Sequence, residues 1–269
     1  MLKQKLIKSI LLSCSLTGYS LVAMANDQAE SRGIIEDQKF ILLNRTVFDK
    51  RDYRHGGKNS AARNSRKPKA ERNDYAEEWG YGLMATYTSG FTQGTVGLGF
   101  DAQSYLGIKL DTGGGRAGKA RLLALKNDGH PKDYYNRTGG AAKVRVSSTI
   151  LKYGVMRTKT PIFSSSDSRL LPETATGWLL VSNEFKSLTV QAGYFTAGAD
   201  RNATKNTNDL VVNYANPSFK QGKTFDFVGG TYSGIKDLSI TAYTGRYENN
   251  WRTHYLGAYY TYAFDKKIV

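Results

Sequence analysis

The sequence predicts an all-β protein, specifically an antiparallel transmembrane β-barrel, on three observations. Segments of about ten residues alternate apolar with polar side chains, as tilted membrane strands do. Connections between them alternate short with long, the pattern of tight turns on one side of a membrane and extended loops on the other. The chain also opens on an export signal: Lys3, Lys5 and Lys8, a short apolar run over residues 10–22, and a small-residue site at Ala23-Met24-Ala25.

Composition fits this class. Eighteen tyrosines against five prolines in 269 residues favour strands over helices. No stretch beyond the N-terminus approaches the roughly 18 consecutive apolar residues of a membrane helix. The domain reading is residues 1–25 as signal peptide and 26–269 as one barrel domain. Cys14 falls within the signal, so cleavage after Ala25 leaves a mature chain without thiol or disulfide chemistry. Leu11-Leu12-Ser13-Cys14 faintly resembles a lipoprotein site, but the apolar run before it is too short. Removing three lysines takes the formal charge from +15 to +12, which favours acidic partners, anionic lipid or an electropositive channel.

In order, residues 26–38 form a polar lead-in and 39–49 (KFILLNRTVFD) a first strand. Nine Lys or Arg against two acids lie between Lys50 and Arg72, a basic outer loop. Residues 78–89 and 95–110 are strands two and three about a turn at 90–94, and 111–140 read as a long connection. The fourth strand starts at Ala141 and runs to a turn at Ser148-Thr149. Lys143, Arg145 and Ser147 take one face, Val144 and Val146 the other. Strand five is 150–157 and strand six 176–184, with a proline-bounded loop at 158–175 between them. Strands seven to ten are 188–197, 223–232, 238–247 and 252–264, with turns at 185–187 and 233–237 and a brief link at 248–251. A lipocalin-like barrel or sandwich would turn every 8–12 residues without the long-short alternation. Ten strands can close as a small barrel or form the N-terminal portion of a larger one, since residues 265–269 read as the turn into a further strand.

The loop at 158–175 carries the densest chemistry. Asp167, Ser168, Arg169 and Glu173 lie between Pro161 and Pro172 or just beyond, and such a loop folded into a barrel sets the width and charge of a pore. Mixed charge there orients a zwitterionic solute, and Lys143 and Arg145 by parity add a basic track for a carboxylate. Lys109 and Arg45 are weaker members of that track, because their facing depends on register. Tyr75, Trp79, Tyr81, Trp178 and Tyr194 fit interfacial girdles. Catalysis is not expected: His55, His130 and His254 are scattered, no Gly-x-Ser-x-Gly, His-Glu-x-x-His or phosphate-loop pattern occurs, and Gly113-Gly114-Gly115 precedes no helix. No metal or other cofactor is implied. Export argues against a nucleic-acid partner.

Six segments stand out as motifs: Glu78-Trp79, Tyr87-Thr88-Ser89-Gly90-Phe91-Thr92-Gln93-Gly94-Thr95-Val96-Gly97, Gly107-Ile108-Lys109-Leu110-Asp111, Ala142-Lys143-Val144-Arg145-Val146-Ser147, Leu151-Lys152-Tyr153-Gly154 and Asp167-Ser168-Arg169-Leu170-Leu171-Pro172. Together they resemble the OprD family of substrate-specific outer-membrane porins. The resemblance covers nearly the whole mature chain and a little over half of a family member. It implies a porin-type barrel of eighteen strands, of which ten are present, in the outer membrane of a Gram-negative bacterium. It implies a monomer with its third outer loop folded inward at Asp167 to Pro172, and a basic ladder, including Lys143 and Arg145, for small carboxylate solutes. Basic amino acids, aromatic acids and carbapenems are the implied solutes. Outer-membrane lipid, lipopolysaccharide and the barrel-assembly machinery are the implied partners. Two alternatives stay open at this point: an inactive porin remnant, and an exported soluble β-sheet binding protein.

Overall fold

The computed structural model describes residues 28–111, 115–210 and 223–262. The signal at 1–25, Cys14, Gly113-Gly114 and the terminal residues 263–269 lie outside the described residues. Ten strands form one antiparallel meander in chain order: β1 (Lys39–Asp52), β2 (Tyr75–Thr88), β3 (Val96–Asp111), β4 (Tyr134–Val146), β5 (Thr149–Met156), β6 (Thr174–Phe185), β7 (Leu188–Ala199), β8 (Phe225–Ile235), β9 (Leu238–Tyr247) and β10 (Trp251–Tyr260). Each strand pairs only with its sequence neighbours, and β1 and β10 are the two edges among the described residues.

The period-2 pattern sorts the side chains onto two faces. Along β4, Tyr135, Arg137, Ala141, Lys143 and Arg145 are buried on one face, while Tyr134 and Val146 are exposed on the other. That outward face is apolar: Phe40, Leu42, Leu98, Phe100, Val146, Trp178 and Val228 are all exposed. A water-soluble protein seldom leaves so extended an apolar surface uncovered, whereas lipid covers it in a barrel. Aromatic pairs mark its two margins. Phe48 and Trp79 meet edge-on at 6.3 Å and Tyr153 lies tilted against Trp178 at 4.4 Å towards the long-loop end. Tyr87 and Phe100 meet at 5.4 Å near the short-turn end. Amphipathic rings favour the two membrane interfaces.

The strand order and alternation of connections match the sequence reading, with boundary corrections. β4 begins at Tyr134, so 134–140 is strand and not loop. Its polar run and the Gly139-Gly140 pair concealed it. The hairpin turn is Ser147-Ser148, with Ser147 at φ +51°, one residue earlier than read. Residues 233–235 continue β8, which leaves Lys236-Asp237 as the turn. Two hydrophobic clusters lie on the inner face. One gathers Leu179, Val181, Phe195, Phe225 and Phe227, and the other Met84, Tyr105, Leu122, Leu123, Leu170 and Leu171.

Candidate functional site: an inward loop and its cations

Residues 157–173, between β5 and β6, fold onto the inner face and join the two clusters. The turn inward begins at Gly154, whose φ of +137° is a conformation that favours glycine. The first limb closes on itself: Thr158 N–H donates to Ser165 Oγ at 3.0 Å, and Ser165 N–H donates to Thr158 O at 2.9 Å. Its tip presents Phe163, which stacks on Phe225 at 4.5 Å and lies 5.0 Å from Phe195. The second limb is closed by Glu173 N–H donating to Ser166 O at 2.8 Å. Leu170 and Leu171 are fully buried over β2. Gly80 and Gly82 make that approach possible, because a Cβ there would stand 2.7 Å from Leu170 Cδ2 and 2.9 Å from Leu170 O. The loop therefore crosses from β7–β8 towards β1.

Its far tip is held by charge. Asp167 Oδ1 accepts from Arg45 Nη2 of β1 at 2.6 Å, and Oδ2 accepts from Arg157 Nη2 at 2.9 Å. Arg45 Nη1 also donates to the carbonyls of Asp167 and Arg169. Arg169 donates to Ala120 O at 3.1 Å and to Ser168 O at 3.0 Å, and the Ser168 hydroxyl lies 3.2 Å from that of Ser166. Glu173 accepts from Arg201 Nη2 at 2.6 Å. Two neighbouring loops complete the arrangement. Glu78, buried on β2, accepts the N–H groups of Gly118, Ala120, Leu122 and Leu123 between 2.7 and 3.3 Å. This bends the loop before β4 inward under Leu170. Arg137 of β4 donates to Asp200 O at 2.6 Å and Pro172 O at 2.5 Å, tying the loop after β7 to the same point.

A second set of charges lies nearer the short-turn end. Asp101 accepts from Lys143 Nζ at 2.7 Å and Lys152 Nζ at 2.6 Å. Lys143 also donates to Ser89 O at 2.7 Å, and Arg145 donates to Gln28 Oε1 at 2.7 Å. Both cations sit over the Phe91 ring, at 4.7 and 4.3 Å. The turn after β2 and the lead-in from Gln28 thus cover Lys143 and Arg145, which are only 5% and 6% exposed. Gln28 Nε2 donates to Thr92 O, and Gly90 N–H donates to Ile34 O, each at 2.8 Å, which fixes the cover.

Of the residues read from sequence, Arg45, Asp167, Ser168, Arg169 and Glu173 come together at the loop, while Lys143 and Arg145 form the separate inner set. Lys109 stands apart near the outer end of β3, ion-paired with Asp133. That ammonium holds the Asp133 carboxyl below the ordinary carboxylate range, chiefly through its hydrogen bond. Sequence reasoning missed Lys152, Arg157, Asp101, Glu78 and Arg137. Lys152 was within reach, since a two-residue turn at 147–148 pairs it with Lys143 and so on the same face. Arg157 carried no signal, because its direction depends on where β5 leaves the sheet.

An apolar outer face, aromatic margins and charged loops folded onto the inner face together define the wall of an outer-membrane channel. The chain belongs to the OprD family of outer membrane porins, whose profile matches residues 32–269. It is 41% identical to Porin D of Pseudomonas aeruginosa over 89% of this chain and 49% of that protein. It is 32% identical to the porin-like protein GalP of Pseudomonas putida over 88% of this chain and 54% of the other. Among solved structures, Pseudomonas aeruginosa OccK9 (OpdG) superposes with TM-score 0.74 at 32% identity, covering 86% of this chain and 56% of that one. OpdK of the same organism, solved with vanillate, superposes with TM-score 0.71 at 31% identity over 87% and 55%. The chain spans about half the length of the curated relatives it matches. Membership places it among outer-membrane channel proteins of Gram-negative bacteria and not among enzymes.

Proposed function

We propose that this chain contributes the wall and constriction of a channel for passive uptake of small carboxylate-bearing solutes. The observation that supports this best is the clasp of Asp167 between Arg45 and Arg157. It holds a carboxylate on an arginine pair within the lumen, and planar guanidinium groups suit that recognition. The Asp101 carboxylate between Lys143 and Lys152 repeats the motif further along the inner face. Solutes then pass a track of cations, of which Lys152, Arg157 and Arg169 are more open than Lys143 and Arg145. Arg45 serves that track at the loop, beside Asp167, and Lys109 serves its outer end.

Basic amino acids, aromatic acids and carbapenems are the proposed solutes. The similar OpdK structure was solved with vanillate, an aromatic acid, which supports the second of these classes. Residues 1–25 act as the export signal and 26–269 as the barrel domain. The protein works as a monomer, inserted by the barrel-assembly machinery. The soluble binding-protein alternative is opposed by the exposed apolar face and by the family.

The test is solute-driven swelling of liposomes carrying the purified chain, comparing benzoate with benzyl alcohol. Faster entry of benzoate, lost in an Arg157→Gln/Lys152→Gln variant, is expected. Equal entry of both solutes would overturn the carboxylate reading.

A further inference from the structure

We propose that a notch in the wall beside β4, at the outer interface, binds the phosphate of a lipopolysaccharide-type glycolipid. The notch follows from unequal strands. β4 has 13 residues and β5 only eight. Their pairing ends at Ala141 with Gly154, where β5 bends inward. Residues 134–140 therefore have β3 on one side and no paired strand on the other. A bare strand edge is not tolerated in hydrocarbon, since its N–H and C=O groups have no water to bond. The loop after β7 covers part of the edge. Asn206 Nδ2 donates to Thr138 O of β4 at 2.7 Å, and Asn206 O accepts from Thr176 Oγ1 of β6 at 3.0 Å.

Outward of that staple lies a cavity of about 340 Å³ lined by Lys126, Lys132, Asp133, Tyr134, Asn136 and Thr204. Its one carboxylate is already engaged, since Asp133 pairs with Lys109 and, at 3.7 Å, with Lys126. Lys132 makes no ion pair among the described residues. Two ammonium groups, an amide and a hydroxyl thus converge where Tyr134, 70% exposed, marks the membrane interface. That donor set suits a phosphate monoester. The outward face of the neighbouring β3 is apolar beside it, with Ile108 paired to Tyr134, Leu106 paired to Asn136 and Leu110 exposed, and accommodates acyl chains. An amphiphile fits both features, whereas free phosphate uses only the first.

The experiment is native mass spectrometry of the full chain in detergent with bis-phosphorylated lipid A, its dephosphorylated form, and inorganic phosphate as competitor. One bound lipid A per chain is expected, with at least tenfold weaker retention in Lys126→Gln/Lys132→Gln and retention preserved in Lys126→Arg/Lys132→Arg. Heat-modifiable migration on gels shows that each variant is folded. Equal binding of the dephosphorylated lipid, undiminished binding by the glutamine variant, or displacement by millimolar phosphate would overturn the assignment.

Discussion

Arg45 and Asp167, 122 residues apart in sequence, meet through a 2.6 Å hydrogen bond between Nη2 and Oδ1. This bond pins the tip of the inward loop to the first strand. Arg157, near the root of the same loop, holds the other carboxylate oxygen. Asp167→Asn keeps the shape and removes the charge that both guanidinium groups face. A charged hydrogen bond is worth about 1.5–3 kcal/mol, and partial exposure in a wet lumen puts the loss near the low end. The variant is expected to fold, with a more mobile loop and noisier channel openings. Single-channel recordings check this.

Phe163 fixes the other end of the loop by stacking on Phe225. Phe163→Ala leaves a gap against the aromatic cluster, and because Phe163 is half-buried the cost is expected to fall below the about 3–5 kcal/mol of a fully buried Phe. Loss of stability is expected together with a loop that no longer spans the inner face. Thermal unfolding in detergent, with proteolysis of residues 157–173, reports both.

Glu78 is expected to matter out of proportion to its distance from any solute. Its carboxylate accepts four backbone N–H groups while it is 1% exposed. Glu78→Ala leaves those donors buried and unpartnered, at about 1–3 kcal/mol for each one not recovered by water. The loop before β4 should lose protection from hydrogen exchange, with the β1–β2 ladder unchanged.

Lys143 and Lys152 share Asp101 but differ in exposure, with side chains 3% and 15% accessible. Lys143→Gln is expected to lower stability by about 1.5–3 kcal/mol, the scale of a charged hydrogen bond, and to alter selectivity little. Lys152→Gln is expected to do the reverse. Reversal potentials in a salt gradient, set beside melting temperatures, separate the two.

The lead-in carries a pH dependence. Asp37 takes a backbone hydrogen bond from Arg32 at 3.0 Å and a side-chain one at 2.6 Å, which hold its carboxyl below the ordinary range. A carboxyl depressed on folding stabilises above its unfolded pKa of about 3.9, and that contribution is lost as pH falls through the lower folded value. Hydrogen exchange in residues 28–38, corrected for intrinsic rates, should be flat from pH 5 to 8 and rise below about pH 4.

The architecture was legible because the barrel writes itself in local sequence. β9 could be bounded to the residue, and Val144 and Val146 fixed the facing of Lys143 and Arg145 by simple alternation. What failed was local pattern where the wall is irregular. The first seven residues of β4 lack a β5 partner and carry Asn136, Arg137 and two glycines, so nothing alternates apolar with polar. The site was half legible. The loop announced itself through its prolines and charges, yet its anchors, Arg157, Glu78 and Arg137, are set by long-range docking that no spacing encodes. The same docking explains why Lys143 and Arg145, correctly faced, are covered by Gln28 and Phe91.

Cations around the inward loop are proposed to select solutes for their carboxylate. The most direct test is single-channel current of the refolded chain in a planar bilayer, with benzoate and arginine added against benzyl alcohol. Stable openings with block by the carboxylates alone, weakened by Arg157→Gln, are expected. Openings that carboxylates and the alcohol block alike, or that Arg157→Gln leaves unchanged, would contradict that selection.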